Sequence, residues 1–182
     1  MTTYKTLLDA FLDHAENRGD YPALRYKRDN NWYDINWAEY RRRVLRVGAA
    51  LSELGLQSGD RIGLLSNNRI EWLVSDLAAL SIGCVTVPIY PSSIPEQVEY
   101  ILQHSGAKAI FVEDAEQLAK IEAIRDNCPE LGKAILLSGT ADSDAERAPA
   151  RALPRRGRCA LSRRRRAANA RADAAQSSPR PL

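Results

Sequence analysis

Apolar positions in this chain recur at two alternating spacings. After Thr6, Leu7, Leu8, Phe11, Leu12 and Ala15 step by three and four, which predicts an amphipathic helix that Gly19 can end. After Asn36, Trp37, Tyr40, Val44, Val47, Leu51 and Leu54 repeat that step as far as Gly55. Asn36-Trp37-Ala38-Glu39 reads as a capping box at the start of that helix. Asn68-Arg69-Ile70-Glu71, Ser93-Ile94-Pro95-Glu96 and Asp114-Ala115-Glu116-Gln117 open three more helices in the same manner. The first of these is expected to end near Gly83 and the last near Asn127. Pro95 sits in a first turn, where its missing N–H costs little.

Between the later helices lie short runs of apolar, often β-branched residues at 61–66, 84–90, 108–112 and 133–138. They are nearly continuous rather than alternating, as expected of strands covered on both faces. Strand and helix alternate to the last of them. That order predicts right-handed crossovers and an α/β fold with a parallel, doubly wound sheet flanked by helices. Ahead of it, "ALRYKR" and "NWYDIN" flank Asp29-Asn30, which predicts a hairpin.

The pattern stops at about residue 141. Residues 145–182 hold eleven Ala, eleven Arg, three Leu and no Val, Ile, Phe, Tyr, Trp, Met or Lys. So little apolar surface cannot offset the entropy of ordering, and a disordered tail over 141–182 is expected. The charge divides at the same place. Residues 145–182 carry a net +9, with Glu146 and Asp173 their only acids, and residues 1–144 carry a net −6. The overall +3 is therefore the sum of an acidic domain and a basic tail.

Cys84, Cys128 and Cys159 are far apart and show no metal or redox spacing, which fits a reducing, cytoplasmic setting. The first nineteen residues lack the pattern of a signal peptide, and no stretch has the length to span a bilayer.

The stretch from Gly59 to Ile121 resembles the N-terminal part of the AMP-forming acyl-CoA synthetases, and within them the long-chain fatty-acid–CoA ligases. The resemblance rests on Gly59-Asp60-Arg61, Asn68 to Trp72, Gly83 to Pro91 and Ser105-Gly106-Ala107-Lys108, in that order, with "NWAEY" at 36–40 also fitting. It covers residues 5 to about 140, so residues 1–140 are expected to be the N-terminal portion of the family's large domain. The resemblance implies a two-step reaction. A fatty acid and ATP, assisted by Mg2+, give an acyl-adenylate and pyrophosphate, and the thiol of CoA then displaces AMP. It also implies a Ser/Thr/Gly-rich phosphate loop ending in Pro-Lys-Gly, an adenine site and a catalytic lysine in a small C-terminal domain, all downstream of the matched region. None of these motifs occurs here. Ser138-Gly139-Thr140 is followed by Ala141-Asp142, and no lysine follows Lys133. No catalytic, cofactor-binding or metal-binding residue is therefore assigned, and an inactive, truncated ligase is expected.

Other candidate residues have plain structural readings. Cys84 starts a buried strand and reads as a small core residue. His14 and His104 lack a Ser or Cys partner in sequence and a metal spacing. Asp60 reads as a turn residue before a strand, with Arg61 after it. "VPIYPSS" at 87–93 follows a strand's carboxyl end, where open α/β sheets gather ligands, although shaping a strand-to-helix turn is the favoured reading. No G-x-G-x-x-G occurs, so a dinucleotide site is not supported. The tail lacks the interleaved aromatics of a nucleic-acid platform. Its Arg, Ala, Pro and Ser are residues of GC-rich codons, which leads to the expectation of a frameshift near residues 141–150. Translation of the other two frames downstream of codon 140 tests this. The alternative is a small α/β binding module with a basic arm for nucleic acid or an acidic partner. On either reading, the tail's charge leads to an expectation of non-specific adhesion to polyanions.

Overall fold

The structure, a computed structural model, describes residues 4–137. The tail expected to be disordered and the Ser138-Gly139-Thr140 tripeptide lie outside the described residues. The first helix, α1 (Leu7–Asn17), is capped by Thr6, whose hydroxyl accepts from the Asp9 N–H while the Asp9 carboxylate accepts from the Thr6 N–H. Strands β1 (Pro22–Arg28) and β2 (Asn31–Asn36) pair antiparallel. Asp29 and Asn30 form the two-residue turn with φ of 48° and 62°, the left-handed pair that matches the twist of a hairpin. Helix α2 (Trp37–Glu53) follows directly. Asn36 accepts from the Glu39 N–H at 2.8 Å as expected, but the Glu39 carboxylate turns outward to Arg42 and Arg43.

The rest alternates: β3 (Arg61–Leu65), α3 (Ile70–Ser81), β4 (Val85–Ile89), α4 (Pro95–Ser105), β5 (Ala109–Val112), α5 (Ala115–Ile124), a short 3-10 turn over Arg125–Asn127, and β6 (Lys133–Leu136). The sheet is parallel, with order β4-β3-β5-β6. Alternate strand residues feed two cores. Ile62, Leu64, Phe111 and Ile135 pack with α1, α2, α3 and the hairpin, while Leu65, Ile110, Val112 and Ala134 pack with α4 and α5. The sheet is thus covered on both faces, in the doubly wound arrangement that the pattern predicts. Gly63 makes the close approach of α4 feasible, because a Cβ there would lie 2.9 Å from Ile110 Cγ1 and 3.1 Å from Leu102 Cδ2.

Two expected caps move by one residue. Helix α3 begins after Arg69 rather than Asn68, with no side-chain cap bond. The Asn68 box fails because its own Glu71 accepts from Arg69 at 2.6 Å instead of reaching back to Asn68, while Glu113 holds the neighbouring Asn67. Helix α4 begins after Ile94 rather than Ser93, and Gln97 Oε1 accepts from the Ile94 N–H at 3.2 Å. Pro95 at the first helical position sets that boundary, since it disfavours a helical conformation for the residue before it.

The two outer strands of the sheet differ. Val85 N–H donates to Asp60 O, so the alternation of a parallel ladder turns Val87 and Ile89 toward β3 and leaves Thr86 and Pro88 facing outward. Proline in an outward position of an edge strand removes a ladder donor. On β6, Leu137 N–H donates to Val112 O, so Ile135 faces β5 and Ala134 and Leu136 face outward. Neither outward residue of β6 is a proline.

Candidate functional site

Gly59-Asp60-Arg61, Ser105 to Lys108 and the Gly83-Cys84 start of a third family-like segment meet at one end of the sheet, the end where the strands begin, while Asn68 to Trp72 and the Tyr90-Pro91 end of that third segment lie at the other. Asp60, just ahead of β3, is buried and accepts from Lys108 Nζ at 2.6 Å and from the Gln57 N–H at 3.0 Å. The Lys108 ammonium holds the Asp60 carboxyl below its ordinary range, with the Gln57 N–H adding to the effect. Arg61 reaches across to the end of α4, donating from Nε to Ser105 O at 2.7 Å, from one terminal nitrogen to Gly106 O at 3.1 Å and from the other to Gly59 O at 3.2 Å. These carbonyls include those left unpaired at a helix C-terminus. Gly106 ends α4 at φ 62°, and a Cβ on it would lie 2.7 Å from the Arg61 guanidinium. Gly83 O accepts from the Gly59 N–H at 2.9 Å. Asp60 and Arg61 are therefore a structural clamp.

Cys84 belongs to the same end. Its thiol is buried and donates to Gln57 O at 3.2 Å, and burial, with the Asp60 carboxylate adding to it, raises its pKa. A nucleophile needs the opposite shift. His14 bonds the Ala10 carbonyl at 2.8 Å and packs against Trp37, with ring centroids 5.2 Å apart. His104 stacks on Tyr100 along α4, centroids 5.7 Å apart. The two histidines are in separate parts of the molecule, and among the described residues no cluster of three or more His, Cys, Asp or Glu could hold a metal ion.

The opposite end, where the strands finish, holds the candidate site. Sheet order reverses between β3 and β5, and a doubly wound sheet opens a crevice at such a point. There the turn after β3 is tied to the turn after β5. The Asn67 N–H and Nδ2 both donate to Glu113 Oε2, at 2.6 and 2.9 Å, and Ser66, also buried, donates to Asn67 O at 2.9 Å. Arg69 donates to Glu71 at 2.6 Å and lies 3.7 Å from Glu113 Oε1. Beside this, the turn after β4 carries the "VPIYPSS" segment. Lys120 on α5 donates to Pro91 O at 2.6 Å and Ser93 O at 3.2 Å, so the carbonyls of the turn point inward. Tyr90, which stands 82% exposed at its rim, lines a groove of about 640 Å3 with Ser92, Ser93, Gln97 and Tyr100.

Lys120 and Glu113 are not singled out by the sequence pattern. Their partners lie up to 46 residues away, and only the strand order brings them together. Lys120, the ammonium beneath the groove's turn, is committed to two main-chain carbonyls, and Arg69 is flanked by two carboxylates.

The sequence pattern of the AMP-binding enzyme family matches residues 11–177. The long-chain-fatty-acid–CoA ligase FadD15 of Mycobacterium bovis is 32% identical over 135 residues, covering 74% of this chain and 22% of that protein. The 3-methylmercaptopropionyl-CoA ligase of Ruegeria lacuscaerulensis is 36% identical over 146 residues, covering 80% of this chain and 27% of that one. The solved structure of the anthranilate CoA ligase AuaEII with anthranoyl-AMP superimposes with a TM-score of 0.67 at 28% identity, over 75% of this chain and 25% of that one. The chain thus spans about a quarter of the length of the proteins it matches. A doubly wound sheet with family-like segments clamped at its amino end, and a sequence match over nearly its whole length, place this chain in the AMP-binding enzyme family.

Proposed function

We propose that this chain corresponds to the N-terminal part of the large domain of a long-chain fatty-acid–CoA ligase and acts as scaffold without catalysing adenylation itself. The observation behind this is where the family-like segments lie. Gly59-Asp60-Arg61, Gly83 and Ser105 to Lys108 make up a clamp at the amino end of the sheet, while the crevice end presents carboxylates and committed cations. Adenylate formation needs positive charge and oriented donors where pyrophosphate departs. It also needs the acid held in line for attack. ATP, Mg2+ and CoA are then the cofactors and co-substrate of the longer enzyme, fatty acids its substrates and the cytoplasm its compartment. Among the described residues no helix is long and apolar enough to cross a membrane.

The test is ATP–pyrophosphate exchange and acyl-CoA formation by the purified 182-residue chain, with fatty acids from medium to very long chain. No turnover is expected, and restoring the alternative reading frame after codon 140 should produce it. Fatty-acid-dependent exchange by the chain itself, free of host ligase, overturns the scaffold reading.

A second reading rests on the charge division, −6 over residues 1–144 against +9 over 145–182. A selected basic arm would bind nucleic acid or an acidic partner. Adhesion to random DNA that vanishes with rising salt and shows no sequence preference marks bare charge. A salt-resistant preference for one sequence or structure supports the arm.

A further inference from the structure

We infer that the outward face of α2, together with the outer face of the β1–β2 hairpin, docks on an anionic lipid bilayer. The inference rests on surface residues alone and does not depend on the ligase reading. Residues 18–46 hold seven Arg and one Lys against four acids, a net +4 inside a domain whose total over residues 1–144 is −6. Helix α2 carries half of these cations. Tyr40, Val44, Gly48 and Leu51 make its buried stripe, and Arg41, Arg42, Arg43 and Arg46 are exposed. Arg42 and Arg43 share the one carboxylate of Glu39, so the face keeps a positive excess. Leu45 stands among them 45% exposed, one turn from Arg41 and Arg42. The hairpin repeats the combination. Its register puts Leu24, Tyr26 and Ile35 on the side that joins the core, which leaves Arg25, Lys27, Trp32 and Asp34 on the other. Trp32 lies directly across from Lys27 and is 65% exposed. Tyr21, 67% exposed, ties the two parts together, since its carbonyl accepts from the Trp37 N–H in the first turn of α2 at 3.1 Å.

A face covered in arginine is solvated as it stands, so it needs no further polypeptide over it. What it offers a partner is a set of cations with single apolar side chains projecting between them. Headgroup phosphates accept from guanidinium groups, while Trp, Tyr and Leu side chains enter the boundary between headgroups and acyl chains. Single-stranded nucleic acid would use a row of open rings instead. Tyr33 is stacked on Tyr26 with ring centroids 5.5 Å apart, and Leu45, in the middle of the arginines, has no ring for a base to stack on. The rest of the charge agrees. Residues 95–130, which carry α4 and α5 on the opposite face of the sheet, hold eight acids against three cations, so the approach that brings α2 to a negative surface turns the acidic side away from it.

The test is cosedimentation of the full chain with vesicles of phosphatidylcholine and phosphatidylserine at physiological salt, against vesicles of phosphatidylcholine alone. Binding is expected to the anionic vesicles and not to the neutral ones. Arg41→Gln, Arg42→Gln and Arg46→Gln together should weaken it about tenfold or more, with the far-UV spectrum retained. Trp32→Ala should remove the blue shift of tryptophan emission that the vesicles induce, because Trp37 and Trp72 pack against the core. A chain that ignores anionic vesicles overturns the inference. So does a triple variant that binds them as the parent chain does, with binding lost only when Arg163, Arg164, Arg165 and Arg166 are replaced by Gln, because the tail alone would then be the adhesive part. A triple variant that loses affinity for an oligo(dT) strand but keeps it for the vesicles also overturns it, and assigns the face to nucleic acid.

Discussion

The two ends of the sheet are built in opposite ways. At the amino end, one arginine holds three main-chain carbonyls, one aspartate holds a lysine and a backbone N–H, and a buried thiol completes the group. At the carboxyl end, the ties hold turns in place and leave aromatic surface outside them, with Tyr90 at 82% and Tyr100 at 66% exposure. The clamp joins elements far apart in sequence around the buried Asp60 and Cys84. The crevice end spends its polar groups on setting the shape of loops. An ordinary division of labour in α/β sheets follows, with stability on one side and a platform on the other.

The sharpest way to break that contrast is to cut the clamp. Asp60→Ala strands the Gln57 N–H and releases Lys108, and should cost about 2 kcal/mol. For an ordered region of this size that lowers Tm by roughly 6–10 °C. The same carboxylate gives the contrast a pH signature. Its pKa is held below the ordinary 3.8, so its contribution is fully present above that value and is lost as pH falls through the depressed one. Thermal melts between pH 5 and pH 2 should therefore show an acid limb that Asp60→Asn flattens. An unchanged melt for Asp60→Ala would mean that the clamp is ornamental.

The same contrast explains what the sequence could reveal. Element type was legible because it is local. Thr6, Asn36 and Asp114 cap the helices expected of them, and the apolar runs at 61–66, 84–90, 108–112 and 133–138 contain the four parallel strands. The Asn68 and Ser93 caps went astray because distant or neighbouring groups outcompeted them: Glu113 took Asn67, Arg69 took Glu71, and Pro95 set the conformation of Ile94. The candidate site was legible only at the 87–93 turn. Glu113 and Lys120 act on carbonyls and amides 27 to 46 residues away, and that proximity comes from the strand order, which no local pattern encodes. Asp60 reads in sequence as a turn residue before a strand, with Arg61 adjacent to it, and nothing local shows what either side chain holds. Their side chains diverge, one to Lys108 and the other to the end of α4.

A smaller effect is expected from Arg61→Met. It keeps the apolar stem but loses the bonds to Ser105, Gly106 and Gly59, a cost of about 1–2 kcal/mol. Hydrogen exchange should then quicken in the last turn of α4 while the turn at 90–94 stays unchanged. Lys120→Met is the mirror experiment. It frees Pro91 O and Ser93 O, should cost about 1 kcal/mol and should quicken exchange in amides near 91–94, leaving 58–61 protected. Loosening of both ends by either variant would show that the sheet couples them, and the two-sided description would fail.

The smallest expected change in stability comes from Tyr90→Ala combined with Tyr100→Ala. Side chains this exposed bury little area on folding, so each replacement should move stability by no more than about 0.5 kcal/mol. Yet the rings are large apolar surface beside a groove of about 640 Å3, and surface of that kind marks an interaction site when it is contiguous. Two readouts separate these properties. Tm should be nearly unchanged in the double variant, while binding of a fluorescent dye that reports apolar surface should fall. A large drop in Tm would show that the rings brace the turn after β4, and the carboxyl end would then be as structural as the clamp. Unchanged dye binding would place the adhesive surface elsewhere, for instance on the hairpin, where Trp32 is 65% exposed. Only a silent melt with diminished dye binding fits a platform whose aromatic residues are free to meet something outside the fold.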